Sequence, residues 1–193
     1  MNSPQTILLA SASPRRRELL TQLGVTFTVA AANIDETIID GETPRDYVLR
    51  LAREKALAGF EQSLGLMPAL GSDTIVLLDG EILGKPESPA EAEIMLQRLS
   101  NQTHHVYSAV ALALEPDKVL DTLNTTAVTF ASMPLEWIRQ YSRSGEPMDK
   151  AGAYAVQGGA GQYISRIDGS YSGVMGLPLF ETAQLLRRAG LLA

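Results

Sequence analysis

No cysteine occurs among the 193 residues, which excludes disulfides, thiolate catalysis and a structural zinc site of the usual kind. Long apolar runs are also absent, so neither a membrane span nor a secretory leader is expected. We therefore expect a cytoplasmic protein that does not act on a membrane. Basic residues are outnumbered, with 16 Lys and Arg against 22 Asp and Glu and a net charge of −6. Because a long nucleic acid requires an extended basic surface, this balance argues against a nucleic acid polymer as partner.

The composition is that of an ordinary globular protein, with 45% hydrophobic and 20% charged residues. A chain of this length can bury one sizeable core or form two lobes that share a cleft. Neither an internal repeat nor a linker is evident. We therefore predict a single domain over residues 1–193 with two lobes.

Within this acidic chain, residues 11–17 form a basic segment, Ser-Ala-Ser-Pro-Arg-Arg-Arg. Residues 7–10 before it are apolar and typical of a buried strand. Ser13 is a candidate helix N-cap, and Pro14 suits the first helical turn. The free N–H groups of a helix start attract anions, whereas three arginines in one turn repel each other unless an anion is bound. The segment indicates a site for a compact polyanion such as a phosphate, with a solvated basic turn as the alternative.

Strand and helix signals alternate along the rest of the chain, which predicts an α/β fold. A capped helix is predicted from Thr43 and Pro44 to about residue 63, and its polar side is expected to carry Lys55. Asp79 and Gly80 are typical of a tight hairpin turn. Further strands are predicted at residues 26–32, from 69, at 105–114, at 119–130 and at 163–167, and further helices from 88, at 134–145 and at 178–190.

Two loops carry side chains suited to phosphoryl chemistry. Asp73 lies in Gly-Ser-Asp-Thr at the start of the apolar strand 75–78, where a carboxylate can hold a divalent metal or accept a proton from water. A turn-capping role is the alternative. Lys85 is restricted to extended backbone by the proline that follows, and its ammonium could contact a phosphate or simply be solvated.

A metal site built on histidine is not expected. His104 and His105 are neighbours in a predicted strand, so their side chains point to opposite faces and cannot bind one ion. Both are interpreted as ordinary polar residues at a strand edge.

Six motifs follow one another along nearly the whole chain. They are Ser11-x-Ser13-Pro14-Arg15-Arg16, Asp35-Glu36-Thr37, Ala52-Arg53-Glu54-Lys55-Ala56, Gly71-Ser72-Asp73-Thr74, Gly84-Lys85-Pro86 and Asp149-Lys150-Ala151-Gly152-Ala153-Tyr154. Together they resemble the signatures of the Maf nucleotide pyrophosphatases. The resemblance implies an α/β fold with an elongated, mixed, twisted sheet flanked by helices, and two lobes with a central cleft. It also implies a homodimer.

The resemblance implies a site as well. Asp73 takes the catalytic acidic position and, with Glu36, binds a divalent cation, Mg²⁺ or Mn²⁺. The remaining positions of the phosphate and metal site are Ser11, Arg16, Lys55 and Lys85. Specificity is tied to Arg15, Thr74 and Gln157, which match the pyrimidine branch of the family. No role is assigned to Ser72.

The implied activity is hydrolysis of dTTP and UTP to the monophosphate and pyrophosphate, which removes unwanted nucleotides from cellular pools. Whether Asp73 acts as general base or as metal ligand stays open. Two alternatives remain: a 7-methyl-GTP pyrophosphatase, and a nucleotide-binding regulator of septum formation. A regulator would bind nucleotide tightly with little turnover, whereas the enzyme would release pyrophosphate.

Overall fold

The computed structural model describes residues 6–192, which divide into two compact units. Unit 1 comprises the chain up to Asp73, Ser108–Asn124 and the chain from Gly176 onwards. Unit 2 comprises Thr74–Tyr107 and Thr125–Met175. Among the helices between residues 6 and 192, none combines the length and the apolar character that crossing a bilayer requires.

Strands and helices alternate over most of the described chain. The strands are β1 (Ile7–Leu9), β2 (Phe27–Val29), β3 (Ala69–Leu78), β4 (Glu81–Leu83), β5 (Thr103–Glu115), β6 (Lys118–Phe130) and β7 (Ile164–Asp168). The helices are α1 (Pro14–Gln22), α2 (Pro44–Gln62), α3 (Pro89–Leu99), α4 (Leu135–Ser142), α5 (Tyr171–Val174) and α6 (Leu179–Arg188). Short 3-10 segments lie at Glu146–Asp149, Ala151–Ala153 and Gly159–Tyr163.

Seven strands of the described chain form a mixed sheet in the order β2-β1-β3-β5-β6-β7, with β4 beside β3. Strand β1 runs parallel to β2 and β3, whereas β4 is antiparallel to β3 and β7 is antiparallel to β6. The β3–β4 hairpin turns at Asp79 and Gly80, whose φ angles of 51° and 85° suit a two-residue turn with positive φ at both positions. The predicted α/β class and the predicted hairpin are both confirmed.

Helices α1 and α2 begin where the sequence predicts. The Ser13 side chain accepts a hydrogen bond from the backbone N–H of Arg16, and the Thr43 side chain accepts one from Asp46. Each cap satisfies a backbone donor that a helix start leaves unpaired, and a proline follows each cap at the first helical position. The caps therefore fix where each helix starts, and with it the position of Arg16 on α1.

In unit 1, helix α2 packs against strand β3 with almost no side chain between their backbones. A Cβ atom built on Gly71 would lie 2.3 Å from the carbonyl oxygen of Ala52 and 2.4 Å from the amide nitrogen of Ala56. Any larger residue at position 71 would push the helix away from the strand. This close contact sets the distance between Lys55 on the helix and Asp73 on the strand.

In unit 2, the core forms among α3, α4 and parts of β3 and β6. Val76, Leu96, Phe130 and Ile138 are all buried there. Burial of large apolar side chains is the main stabilising contribution to such a core.

One prediction of secondary structure is wrong in detail, and one short helix is absent from the predicted elements. Strand β2 covers Phe27–Val29 rather than residues 26–32, because its partner β1 is three residues long and pairs only with those positions. Helix α5 was not predicted. Its four residues, capped by Ser170, are too few to show a helical period.

Candidate active site

The centre of the site is Lys55, which connects two carboxylates in unit 1. Its Nζ atom lies 2.7 Å from Asp73 Oδ1 and 2.7 Å from Glu36 Oε1. The side chains of Lys55 and Asp73 are 9% and 11% exposed, whereas that of Glu36 is 52% exposed. The prediction that Lys55 lies on the polar side of α2 is wrong: the side chain is buried, and Asp73 and Glu36 balance its charge.

Asp73 lies within strand β3 rather than in a loop at the start of a strand, which corrects a second prediction. Its neighbours Leu70, Ile75 and Val76 are buried, so the strand is covered on both faces around this polar position. A carboxylate in such surroundings requires a compensating cation, and Lys55 supplies it.

Glu36 is held in place by its backbone as well as by Lys55. It lies in the segment between β2 and α2, and its carbonyl oxygen accepts a hydrogen bond of 2.9 Å from the Tyr47 hydroxyl. Arg50 donates to the next carbonyl oxygen, that of Thr37, at 3.0 Å, and to the Glu42 carboxylate at 2.7 Å. Burial, together with the charges of Asp73 and Glu36, raises the pKa of Tyr47, so its hydroxyl stays a donor. Helix α2 thus carries Lys55 and also anchors the acidic segment, the stretch between β2 and α2 that contains Asp35 and Glu36.

Arg16, in the first turn of α1, is oriented by a backbone carbonyl. Its Nε atom donates to Gly176 O at 2.8 Å, and its Nη1 atom lies 3.4 Å from Ser11 Oγ. The buried hydroxyl of Ser72 donates to the same carbonyl oxygen at 3.0 Å, which gives Ser72 a structural partner that the sequence did not indicate. Burial lowers the pKa of Arg16, and the nearby Asp73 carboxylate opposes this change.

Asp73 and Glu36 supply carboxylate oxygens, the donors that Mg²⁺ and Mn²⁺ prefer. Between residues 6 and 192, no group of three or more Asp, Glu, His or Cys side chains is placed to hold a metal ion. One or two carboxylates are what Mg²⁺ takes from a protein when substrate phosphates complete its coordination. The residues present therefore fit a divalent cation that is shared with a phosphate.

Five of the predicted site residues thus belong to unit 1 and are connected by the contacts described above or by charge: Ser11, Arg16, Glu36, Lys55 and Asp73. Arg15 is partly buried in the same first turn of α1, beside Arg16. Thr74, Lys85 and Gln157 belong to unit 2, where Lys85 and Gln157 are exposed. Their place in the site stays a prediction.

The sequence model of the Maf-like protein family matches residues 6–189. The chain belongs to the Maf family. Proteins called dTTP/UTP pyrophosphatase are among the relatives of this Maf chain. That of Pseudoalteromonas atlantica is 50% identical over 188 residues, which cover 96% of this chain and 97% of the relative. That of Methylobacillus flagellatus is 52% identical over 185 residues, which cover 95% and 92%.

Among solved structures, this Maf chain is similar to a nucleoside-triphosphatase / dITP/XTP pyrophosphatase from Mycobacterium abscessus. The two share 15% sequence identity with a TM-score of 0.49, over 96% of this chain and 94% of that one.

The Maf chain also contains a buried histidine outside these residues. His104 Nε2 lies 2.7 Å from the Tyr154 hydroxyl in unit 2, and the imidazole stacks on Phe130. Burial lowers the pKa of His104 to about 4. His104 and His105 do lie on opposite faces of β5, but the interpretation of His104 as a strand-edge residue is wrong. The sequence did contain a sign of its burial: alternate residues of a strand share one face, and His104 is two positions from the apolar Val106.

Proposed function

We propose that this protein hydrolyses dTTP and UTP to the nucleoside monophosphate and pyrophosphate. The observation that carries the proposal is the buried Lys55, placed between Asp73 and Glu36 in a chain about half identical to relatives called dTTP/UTP pyrophosphatase. An ammonium group can neutralise phosphate oxygens, and two carboxylates can hold the divalent cation that phosphoryl transfer generally uses.

In the proposed reaction, water attacks the α-phosphorus in line, its oxygen forms the new P–O bond, and the water gives up a proton. The bond between the α-phosphorus and the oxygen that bridges the α- and β-phosphates breaks, and pyrophosphate leaves with that oxygen. Arg16 and Lys55 carry the positive charge that stabilises the departing pyrophosphate. Asp73 and Glu36 would hold Mg²⁺ or Mn²⁺, which neutralises non-bridging phosphate oxygens when bound. The Ser11 hydroxyl, next to Arg16, is a further hydrogen-bond partner for a phosphate oxygen.

The selectivity for pyrimidines rests on three residues from the sequence resemblance, Arg15, Thr74 and Gln157. A side-chain amide such as that of Gln157 offers a donor and an acceptor together, which suits the edge of uracil or thymine. Lys85 enters the proposal in the same way, as a second cation for the pyrophosphate.

The experiment measures pyrophosphate release from dTTP, UTP, CTP, GTP and 7-methyl-GTP with Mg²⁺ or Mn²⁺. By comparison with the loss of one transition-state contact, Asp73→Asn and Glu36→Gln should lower the rate about a hundred- to a thousandfold. Glu61→Gln, at an exposed position of the same unit, is the matched control and should keep full activity. Preferred turnover of 7-methyl-GTP would overturn the selectivity, and nucleotide binding without turnover would favour the regulator.

Two further measurements address the remaining points. Mn²⁺ binding to Asp73→Asn, followed by electron paramagnetic resonance, separates the roles of this carboxylate: a metal ligand predicts weakened binding, whereas a general base predicts unchanged binding and a lost acidic limb in the pH profile of kcat. We also propose a cytoplasmic homodimer, as the sequence resemblance implies. Sedimentation of the purified protein tests the dimer, and cell fractionation tests the location.

A further inference from the structure

In unit 2, the segment that carries Gln157 is held at both of its ends, at one by Glu146 in the 3-10 segment that follows helix α4 and at the other by Tyr141 on α4 itself. At one end, the backbone N–H of Gly159 donates to Glu146, at 3.1 Å from Oε1 and 3.4 Å from Oε2. At the other end, the backbone N–H of Ala155 donates to the Tyr141 hydroxyl at 3.3 Å. Tyr141, on α4, in turn donates to Glu146 Oε1 at 2.7 Å. The Tyr141 hydroxyl and the Glu146 carboxylate are therefore hydrogen-bonded to each other, and we call them the Tyr141–Glu146 pair.

The segment also lies directly against this pair. A Cβ atom built on Gly158 would lie 1.9 Å from Glu146 Oε1, and one built on Gly159 would lie 3.2 Å from the Tyr141 ring. These two glycines therefore allow an approach that no other residue could make without moving the carboxylate or the ring. Between the two anchored amides, at Ala155 and Gly159, there are only three residues, and Gln157 is the central one.

The chain between the anchors is a closed turn. The N–H of Gly158 donates to the carbonyl oxygen of Ala155 at 3.1 Å. Val156 is buried in the core of unit 2, whereas Gln157 is exposed. The backbone on both sides of Gln157 is thus fixed, and its side chain is presented outwards from a rigid support.

The protonation state of Tyr141 favours the same arrangement. Burial and the hydrogen bond to Glu146 raise the pKa of Tyr141. The hydroxyl therefore keeps its proton at neutral pH and can donate to the carboxylate while it accepts from Ala155. A charged acceptor strengthens such a bond relative to a neutral one.

We propose that Tyr141 and Glu146 are positioning residues that fix the backbone around Gln157 and thereby set the selectivity for the nucleobase. This inference rests on the proposed function, in which Gln157 contacts the base. A polar side chain discriminates between bases only if its donor and acceptor are held in register with the base edge. A displacement of about 1 Å is enough to lower a rate up to a hundredfold, and loss of the pair releases the support at both ends.

The test compares kcat/KM for dTTP with kcat/KM for CTP, whose base presents a different pattern of donors and acceptors. Glu146→Ala removes the acceptor for Gly159, and Tyr141→Phe removes the partner of Ala155. Each should reduce the dTTP/CTP ratio by about tenfold, approaching the ratio of Gln157→Ala. Glu146→Gln keeps a carbonyl oxygen as acceptor and should restore most of the ratio. Tyr107→Phe, a tyrosine of the same unit outside the pair, should leave it unchanged.

A merely structural role predicts a different result. It would lower kcat/KM for both nucleotides together, with the ratio unchanged in Glu146→Ala and Tyr141→Phe, and that outcome overturns the inference. Gly158→Ala gives a second perturbation if Glu146→Ala does not fold, since its methyl group displaces the carboxylate without removing it, and it should also reduce the ratio. If the wild-type protein turns over neither dTTP nor UTP, the proposed function has failed; if it does and the variants keep its ratio, only the positioning role has failed.

Discussion

Removal of the Lys55 ammonium should destabilise the protein mainly because the buried Asp73 carboxylate loses its compensating cation. The loss of the contact to Glu36 should matter less. Both carboxylate oxygens lie 2.7 Å from Nζ, but the Asp73 side chain is 11% exposed and the Glu36 side chain is 52% exposed. An exposed ion pair contributes about 0–1 kcal/mol, whereas breaking a buried one by removing one partner costs about 3–5 kcal/mol. At equal distance, burial decides which contact matters.

Two double-mutant cycles test this expectation by urea unfolding in the presence of a chelator. In the first, Lys55→Met leaves the Asp73 carboxylate buried without its cation and should lower the free energy of unfolding by about 3 kcal/mol. Combination with Asp73→Asn removes the stranded charge, so the double variant should be more stable than the sum of the single effects by about 2 kcal/mol. In the second cycle, Lys55→Met with Glu36→Gln should show a coupling below about 1 kcal/mol.

This expectation is contradicted if the two cycles give the same coupling energy. It also fails if Lys55→Met and Asp73→Asn are additive within about 0.5 kcal/mol, the range expected for residues that do not interact. Equal coupling energies would show that burial does not decide which contact matters, whereas additivity would show that the 2.7 Å contact to Asp73 contributes no more than a surface contact does.

Two other predictions concern His104 and Tyr47. The pKa of His104 is about 4 in the folded protein and near 6.5 in the unfolded chain. Between these pH values the unfolded chain binds more protons than the folded protein does. The free energy of unfolding should therefore fall by about 3 kcal/mol as the pH drops from 7 to 4. Urea unfolding at each pH should show this contribution lost in His104→Gln and kept in the control His105→Gln. Tyr47→Phe removes the hydroxyl that holds the Glu36 carbonyl, and a hydrogen bond of about 0.5–1.5 kcal/mol predicts a two- to tenfold lower kcat/KM for dTTP. Unchanged kinetics would show that the acidic segment needs no such anchor.

The parts of the fold that follow from local chemistry could be predicted from the sequence. Ser13 and Thr43 cap their helices, and Asp79 with Gly80 turns the hairpin, because each feature depends on a few adjacent residues. Bounds that depend on a partner strand, such as those of β2, could not be read from the segment itself.

The candidate site was predictable as a set of residues through the motif resemblance, but not as a geometry. Helical spacing assigned Lys55 to the polar side of α2, since the carboxylate that compensates its burial lies 18 positions away in sequence. The anchoring of Glu36 by Tyr47 and the contacts of Glu146 likewise arise only when distant segments meet. The apolar periodicity of a single helix or strand does not indicate which distant residues will contact it.

The backbone contact at Gly71 determines which parts of the site can change during evolution or design. Peptide groups of Ala52 and Ala56 meet the strand there, so the separation of Lys55 and Asp73 does not depend on side-chain packing that substitutions could gradually remodel. Glu36 is different, because it lies on an irregular segment held by a few hydrogen bonds. Substitutions in the segment that carries Glu36 should therefore be able to move this carboxylate relative to a substrate, while the distance between Lys55 and Asp73 stays the same.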